Sequence, residues 1–310
     1  MNQSSLDIFL FALRITAPTF ALMFLGMALV SLGCMSSRFI KGANQLVYKL
    51  GLPLILFTTC ASANLHIGEK LNLLIAFALM TFIVFGGSWL TALLCKQTDD
   101  AGVIVQGAFR GNLVILGLAF AVNAYGERGM AMATLPVAFT VVIYNVLSVF
   151  ILDRNKSWAG TFKGIITNPL ILAIAAGWLY NLSPATFPQA AQEKTHLITQ
   201  FVLPLALVCI GGSLNGRRLV FFDGASIIAN LWKLVLSPLI ACALGIGLGV
   251  QDELLVILFL LAAAPTAAAS YVMAEAAGAN GKLAATIVAQ TTFLALFSVT
   301  LGLMMISHLQ

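Results

Sequence analysis

The chain has 310 residues, 60% of them hydrophobic and only 9% charged, with a mean hydropathy of +1.00. A soluble domain carries roughly 25% charged residues, so this composition excludes a soluble fold and describes a polytopic membrane protein. The formal net charge of +5 is no nucleic-acid signal, because the 16 Lys and Arg sit mostly in short loops, where basic residues set membrane topology.

Hydropathy divides the chain into ten apolar spans, each close to the roughly 20 residues that cross a hydrocarbon core. In chain order they are about 8–32, 43–64, 71–95, 102–124, 129–152, 162–182, 197–214, 224–249, 254–277 and 282–307. The first has no basic stretch ahead of it and is long enough to span, so it reads as a membrane helix rather than a signal peptide. The fourth and ninth are interrupted, at Arg110-Gly111-Asn112 and at Pro265-Thr266. Paired interruptions at matching places in two halves point to the binding site of a secondary transporter. A broken membrane helix frees N–H and C=O groups that lipid cannot satisfy, so the break survives only inside protein or beside a polar cavity.

The odd-numbered connections carry Arg38, Lys41, Lys96, Arg154, Lys156, Lys163, Arg217, Arg218 and Lys282, and the even-numbered ones carry Lys70, Arg128 and Lys194. This bias places the odd connections in the cytoplasm and both termini outside. Asp252 and Glu253, with no base beside them, suit an external eighth connection.

The halves, 1–153 and 154–310, match at a nearly fixed offset. Pro18 and Pro169, Gly26 and Gly177, Pro53 and Pro204, Ser62 and Ser213, and Asn64 and Asn215 are each 151 positions apart. One residue later in register, Gly126 and Gly278, Ala133 and Ala285, Thr134 and Thr286, and Thr140 and Thr292 are 152 apart. With five spans per half, the second half enters the membrane upside down, as an inverted repeat. The two broken spans then cross near mid-membrane.

Arg110 lies about eight residues into its span, roughly 12 Å deep at 1.5 Å per residue. An arginine at that depth is a functional candidate. It pairs either with a carboxylate of the substrate through its two-pronged guanidinium, or with Glu275, or it snorkels to the cytoplasmic face. Gly111 lets the backbone leave the helix, and Asn112 offers a donor and an acceptor to a ligand or to the freed backbone. Pro265 breaks the ninth span, with Thr266 and Ser270 as its nearest hydroxyls. Ser62 and Ser213 read as helix caps or parts of a substrate path. Tyr144 and Asn145 on the fifth span and Gln290 on the tenth are further candidates for substrate or ion contact, beside Thr134, Thr286 and Thr292. His66, His196 and His308 fall in loops or termini, so a central proton relay has little support. Five cysteines, Cys34, Cys60, Cys95, Cys209 and Cys242, read as apolar packing residues. No metal-ligand spacing, cofactor motif or enzyme motif is present, and no nucleophile–base pair is visible.

The chain resembles the auxin efflux carrier family, which includes bacterial permeases related to malonate carriers and the plant PIN-type auxin exporters. The residues that carry the resemblance are Gly111-Asn112-Leu113-Val114-Ile115-Leu116-Gly117-Leu118, Asn168-Pro169-Leu170-Ile171, and Pro265-Thr266 with Tyr271-Val272-Met273-Ala274-Glu275. The resemblance implies an all-α fold of ten helices in two inverted repeats, with a scaffold of spans one, two, six and seven. It implies a transport domain made of the rest, elevator-type movement, a place in the bacterial cytoplasmic membrane and a homodimer through the scaffold. Substrates across the family are organic anions. Two departures concern the site. Gly111 stands where plant relatives have proline, and Ala269 stands where many relatives have asparagine, which leaves Ser270 as the second polar arm.

The leading expectation is a secondary carrier of small organic anions, with the coupling ion, sodium or proton, left open. The alternatives are a sodium-coupled, bile-acid-like symporter and a membrane sensor that has lost transport.

Overall fold

The computed structural model describes residues 5–62, 67–152, 167, 169–183, 187–213 and 222–307. Among these, every regular element is helical. Six stretches are long and apolar enough to cross a membrane: Ala12–Ser31, Leu71–Leu94, Leu113–Leu152, Glu193–Ser213, Gly224–Gly247 and Gly281–Ile306. The remaining expected spans are helical in shorter or interrupted pieces. Asn64, Asn215, His66, His308 and the bases between positions 153 and 166 and between 214 and 221 lie outside the described residues.

The first span is α1 (Ser5–Ser31). The second is α2 (Ser37–Leu46), a π turn over Val47–Gly51, and α3 (Leu52–Ala61). α2 starts because the Ser36 hydroxyl accepts the Phe39 N–H at 3.2 Å, a side-chain N-cap. The π turn has a local cause. Pro53 lacks an N–H and its ring would strike the carbonyl four residues back, and a widened turn just before it relieves both. The same device recurs in the eighth span. There α9 (Gly224–Leu231) passes through a π turn, Trp232–Leu236, into α10 (Ser237–Gly247), with Pro238 next to the junction. Asp223 and Ser226 form a reciprocal capping box at the start of α9.

α4 (Ile67–Leu94) shows the surface logic of the whole molecule. Leu73, Phe77, Met80 and Val84 are buried, while Leu71, Ile75, Leu79, Phe82 and Leu90 are exposed. A large exposed apolar face of this kind suits lipid, not water. α5 (Ala101–Phe109) leads into the first break, and a π turn over Leu113–Gly117 opens α6 (Leu118–Leu152). α6 is two helices joined at a kink, where Tyr125 has φ −137° and Gly126 has φ +59°. Gly278, 152 positions on, also has positive φ, +69°. A Cβ at either glycine would meet nothing within 4 Å, so the left-handed backbone, not space, requires glycine there. After α7 (Pro169–Asn181) and α8 (Gln189–Ser213) come α11 (Asp252–Ala263), the second break, α12 (Ala269–Ala276) and α13 (Gly281–Ser307).

The most extensive packing is α1 on α8 and α3 on α7. Glycines set both approaches. A Cβ on Gly26 would lie 1.9 Å from the Val208 carbonyl oxygen, and one on Gly177 would lie 2.5 Å from the Phe57 carbonyl oxygen. These two contacts exchange under one offset, since 177 − 26 and 208 − 57 are both 151. Likewise α4 on α5 is matched by α10 on α11.

Contacts between helix ends pair like with like. Asp100 and Asn280, from the third and ninth connections, are hydrogen-bonded at 3.1 Å. Arg128 and Glu253, from the fourth and eighth, form an ion pair at 2.8 Å. Asn181 donates to the Ala61 carbonyl at 3.0 Å, and Asn72 to the Leu248 carbonyl at 2.8 Å.

Candidate functional site

The two breaks meet. α5 ends at Phe109 because Arg110 (φ −80°, ψ 83°) and Asn112 (φ −79°, ψ 66°) leave the helical region. α11 ends at Ala263 because Ala264 (φ −56°, ψ 128°) is extended, the conformation that a following proline enforces. The two extended segments then run antiparallel. The Asn112 N–H donates to the Pro265 carbonyl at 2.7 Å, and the Ala267 N–H donates to the Arg110 carbonyl at 2.9 Å. Gly111 and Thr266 face each other across this single bridge. Backbone groups freed by each break are thus satisfied by the other, as apolar surroundings require. Phe109, Leu113 and Leu261, from the two broken segments, share one buried apolar cluster with Phe77, Met80 and Leu258.

Thr266 clamps it. Its N–H donates to the Thr291 hydroxyl at 3.1 Å, and its own hydroxyl donates to the Gly107 carbonyl at 2.7 Å. Those bonds tie α5, the second break and α13 together. Asn112 is 8% exposed, and its amide side chain has no hydrogen bond among the described residues. The Ser270 hydroxyl is buried and without a partner among the described residues. Ala269 opens α12, so the polar arm on this side of the crossing belongs to Ser270. Half-helices start on both sides, at Leu113 and Ala269. Such N-termini present positive potential, with the Ser270 and Tyr271 N–H groups already donating to the Ala267 and Ala268 carbonyls at 2.9 and 3.2 Å.

Arg110 is buried and turned toward the fifth span. One terminal nitrogen donates to the Tyr144 carbonyl at 3.1 Å and to the Ser148 hydroxyl at 3.0 Å, and the other donates to Asn145 Oδ1 at 3.0 Å. Tyr144 and Asn145 therefore come together with Arg110, as its supports. The Tyr144 ring stacks edge-on against Phe109 with centroids 5.4 Å apart, and its hydroxyl lies beside the Gly111 backbone and the Thr81 side chain. The side chain of Glu275 lies outside the described residues.

Gln290 is placed one helix over, where its Oε1 accepts from Asn230 on α9 at 2.8 Å. Ser62 and Ser213 are not brought to the crossing by any hydrogen bond. Each hydroxyl bonds its own last turn, to Thr58 and Ile210 carbonyls at 2.8 and 2.7 Å. Thr134, Thr286 and Thr292 also turn their hydroxyls onto their own helices.

One residue of the site was missed by the sequence reading. Lys233, in the π turn of the eighth span, is 0% exposed, and its ammonium has no hydrogen-bond partner among the described residues. A Cβ built on Gly111 would lie 3.0 Å from Lys233 Nζ and 3.1 Å from the Ala264 carbonyl oxygen. The glycine at position 111 thus makes room for the lysine. The signal was available: Lys233 is a base about nine residues inside its span, the same criterion that singled out Arg110. Ser148, the third support of Arg110, carried no signal, because a serine on an apolar helix is ordinary.

A relative from Methanocaldococcus jannaschii, described as an uncharacterized transporter, is 23% identical over 283 residues, covering 87% of this chain and 90% of its own. A family model described as "Membrane transport protein" matches residues 11–303. With its apolar helices and two interlocked breaks, this chain belongs to that membrane transport family, the auxin efflux carrier family to which its motifs pointed.

Proposed function

We propose that the protein is a secondary carrier of small organic anions, carboxylates above all, and that the anion binds at the crossing. The observation that carries this reading is the bridge itself. It holds two half-helix N-termini, the Asn112 amide and the Ser270 hydroxyl, which has no partner among the described residues, next to two buried bases. Converging donors and positive potential in a low-dielectric site suit an anion. In this reading Arg110 supplies charge from a fixed position, Gly111 and Pro265 shape the breaks, and Thr266 clamps them. Asn112 and Ser270 touch the ligand, and Gln290, Tyr144 and Asn145 border its path. Ser62 and Ser213 act as caps.

The halves 1–153 and 154–310 form an inverted pair with ten spans in this proposal. Its supports are the exchanged Gly26–Val208 and Gly177–Phe57 contacts and the shared positive φ of Gly126 and Gly278. The pairing of odd connections with odd and even with even suits strict alternation across the bilayer. Charge bias then puts both termini outside the cytoplasmic membrane. The Gly26–Val208 and Gly177–Phe57 approaches lie within spans one, two, six and seven, which is where a fixed scaffold would sit if the remainder moved as an elevator. A homodimer through that scaffold is part of the proposal.

Reconstitution tests it. Purified protein in liposomes should move a labelled mono- or dicarboxylate under a sodium gradient, a proton gradient or a membrane potential. No flux under any of the three would sink the reading, and the gradient that works names the coupling ion.

A further inference from the structure

Resting on the anion-carrier reading, we propose that Lys233 is the base that contacts the substrate carboxylate, with Arg110 held back as a positioning residue. The two bases approach the crossing from different helices. The guanidinium of Arg110 is turned away onto the Tyr144 carbonyl, Asn145 and Ser148. The ammonium of Lys233 comes in on the Gly111 side.

A structural role does not account for Lys233. It is fully enclosed, so it does not snorkel to an interface as long basic side chains near helix ends do. Counted from Gly224, it is nine residues into its helix, roughly 14 Å along the axis, close to the middle of the core. It makes no hydrogen bond, so its amine stabilises neither a helix end nor a loop. An unpartnered ammonium in apolar surroundings is costly, and a methionine would fill the same space at no such cost. What offsets the cost is a transient partner, and a carboxylate is the partner the site suits. Among the described residues the Ser270 hydroxyl is a buried polar group without a partner, and Asn112, whose backbone bonds Pro265, carries its amide side chain at the same crossing. Both can donate to the carboxylate oxygens that Lys233 neutralises. The local backbone serves this placement twice. The π turn over Trp232–Leu236 sets the direction of the lysine, and the missing side chain at Gly111 opens the space it enters.

The experiment compares wild type, Lys233→Met and Lys233→Arg in detergent, with acetate, malonate, succinate and benzoate as probes. Binding is read by calorimetry and by the rise in unfolding temperature. At least one probe should stabilise the wild type. Lys233→Met should unfold at or above the wild-type temperature without ligand, yet bind that probe at least tenfold more weakly. Lys233→Arg, which keeps the charge, should recover part of the affinity. Equal binding by wild type and Lys233→Met would overturn the assignment of Lys233 while leaving the carrier reading intact. A wild type that binds none of the probes and moves none in liposomes would overturn the carrier reading first. If Lys233→Met does not give monodisperse protein, Lys233→Gln carries the same comparison.

Discussion

Arg110 and Lys233 are both bases buried beside one crossing, and the protein holds them in opposite ways. Arg110 has three neutral acceptors on the fifth span, all within 3.1 Å. Lys233 has no hydrogen-bond partner and the same degree of enclosure or more. The difference teaches that depth in the membrane does not by itself identify a ligand-binding charge. A base supplied with acceptors by its own fold is part of the frame. A base left without them is poised for something that arrives.

Three substitutions test that contrast. The largest effect should come from Arg110→Ala. It removes three charge-assisted hydrogen bonds and leaves the Asn145 and Ser148 groups buried, so it should cost about 3 kcal/mol or more of stability. Thermal unfolding in detergent reads it, and a loss no greater than that of Lys233→Met would erase the distinction between the two bases. Gly111→Ala should come next. Its methyl must displace Lys233 Nζ or the Ala264 carbonyl, an overpacking cost of about 1–3 kcal/mol, and carboxylate affinity should fall with stability. Affinity unchanged from wild type would mean that Lys233 moves aside without consequence for the ligand. Ser148→Ala should be smallest, about 1 kcal/mol for one hydrogen bond to a charged group that keeps its other acceptors. Its carboxylate affinity should stay close to wild type. A binding loss as large as that of Lys233→Met would return Arg110 to the ligand-contacting side of the comparison.

The breaks were legible in the chain because their causes are local. Pro265 lacks an N–H and forces Ala264 to be extended, and Gly111 between Arg110 and Asn112 is a poor helix former. Gly126 entered the sequence reading only as a repeat match to Gly278, and its positive φ at the kink is a finding of the structure. The hydroxyl contacts of the candidates divide into local and distant ones. Ser62 and Ser213 bond their own helices, and Thr266 uses both its donors to clamp the crossing. Lys233 was passed over because the count of bases addressed the loops, where topology is written.

The sequence by itself determined that the chain lives in a membrane and where its helices break. Composition and proline and glycine chemistry act over a few positions or by simple addition, so they can be read along a line. Only the tertiary structure decided that Gly111 faces Thr266, that Arg110 is held by Tyr144, Asn145 and Ser148, and that Lys233 lies against Gly111. Those partners are 34 to 155 positions apart in the chain. Their meeting depends on how glycine-lined helices pack and cross, and on the need of every buried polar group for a partner.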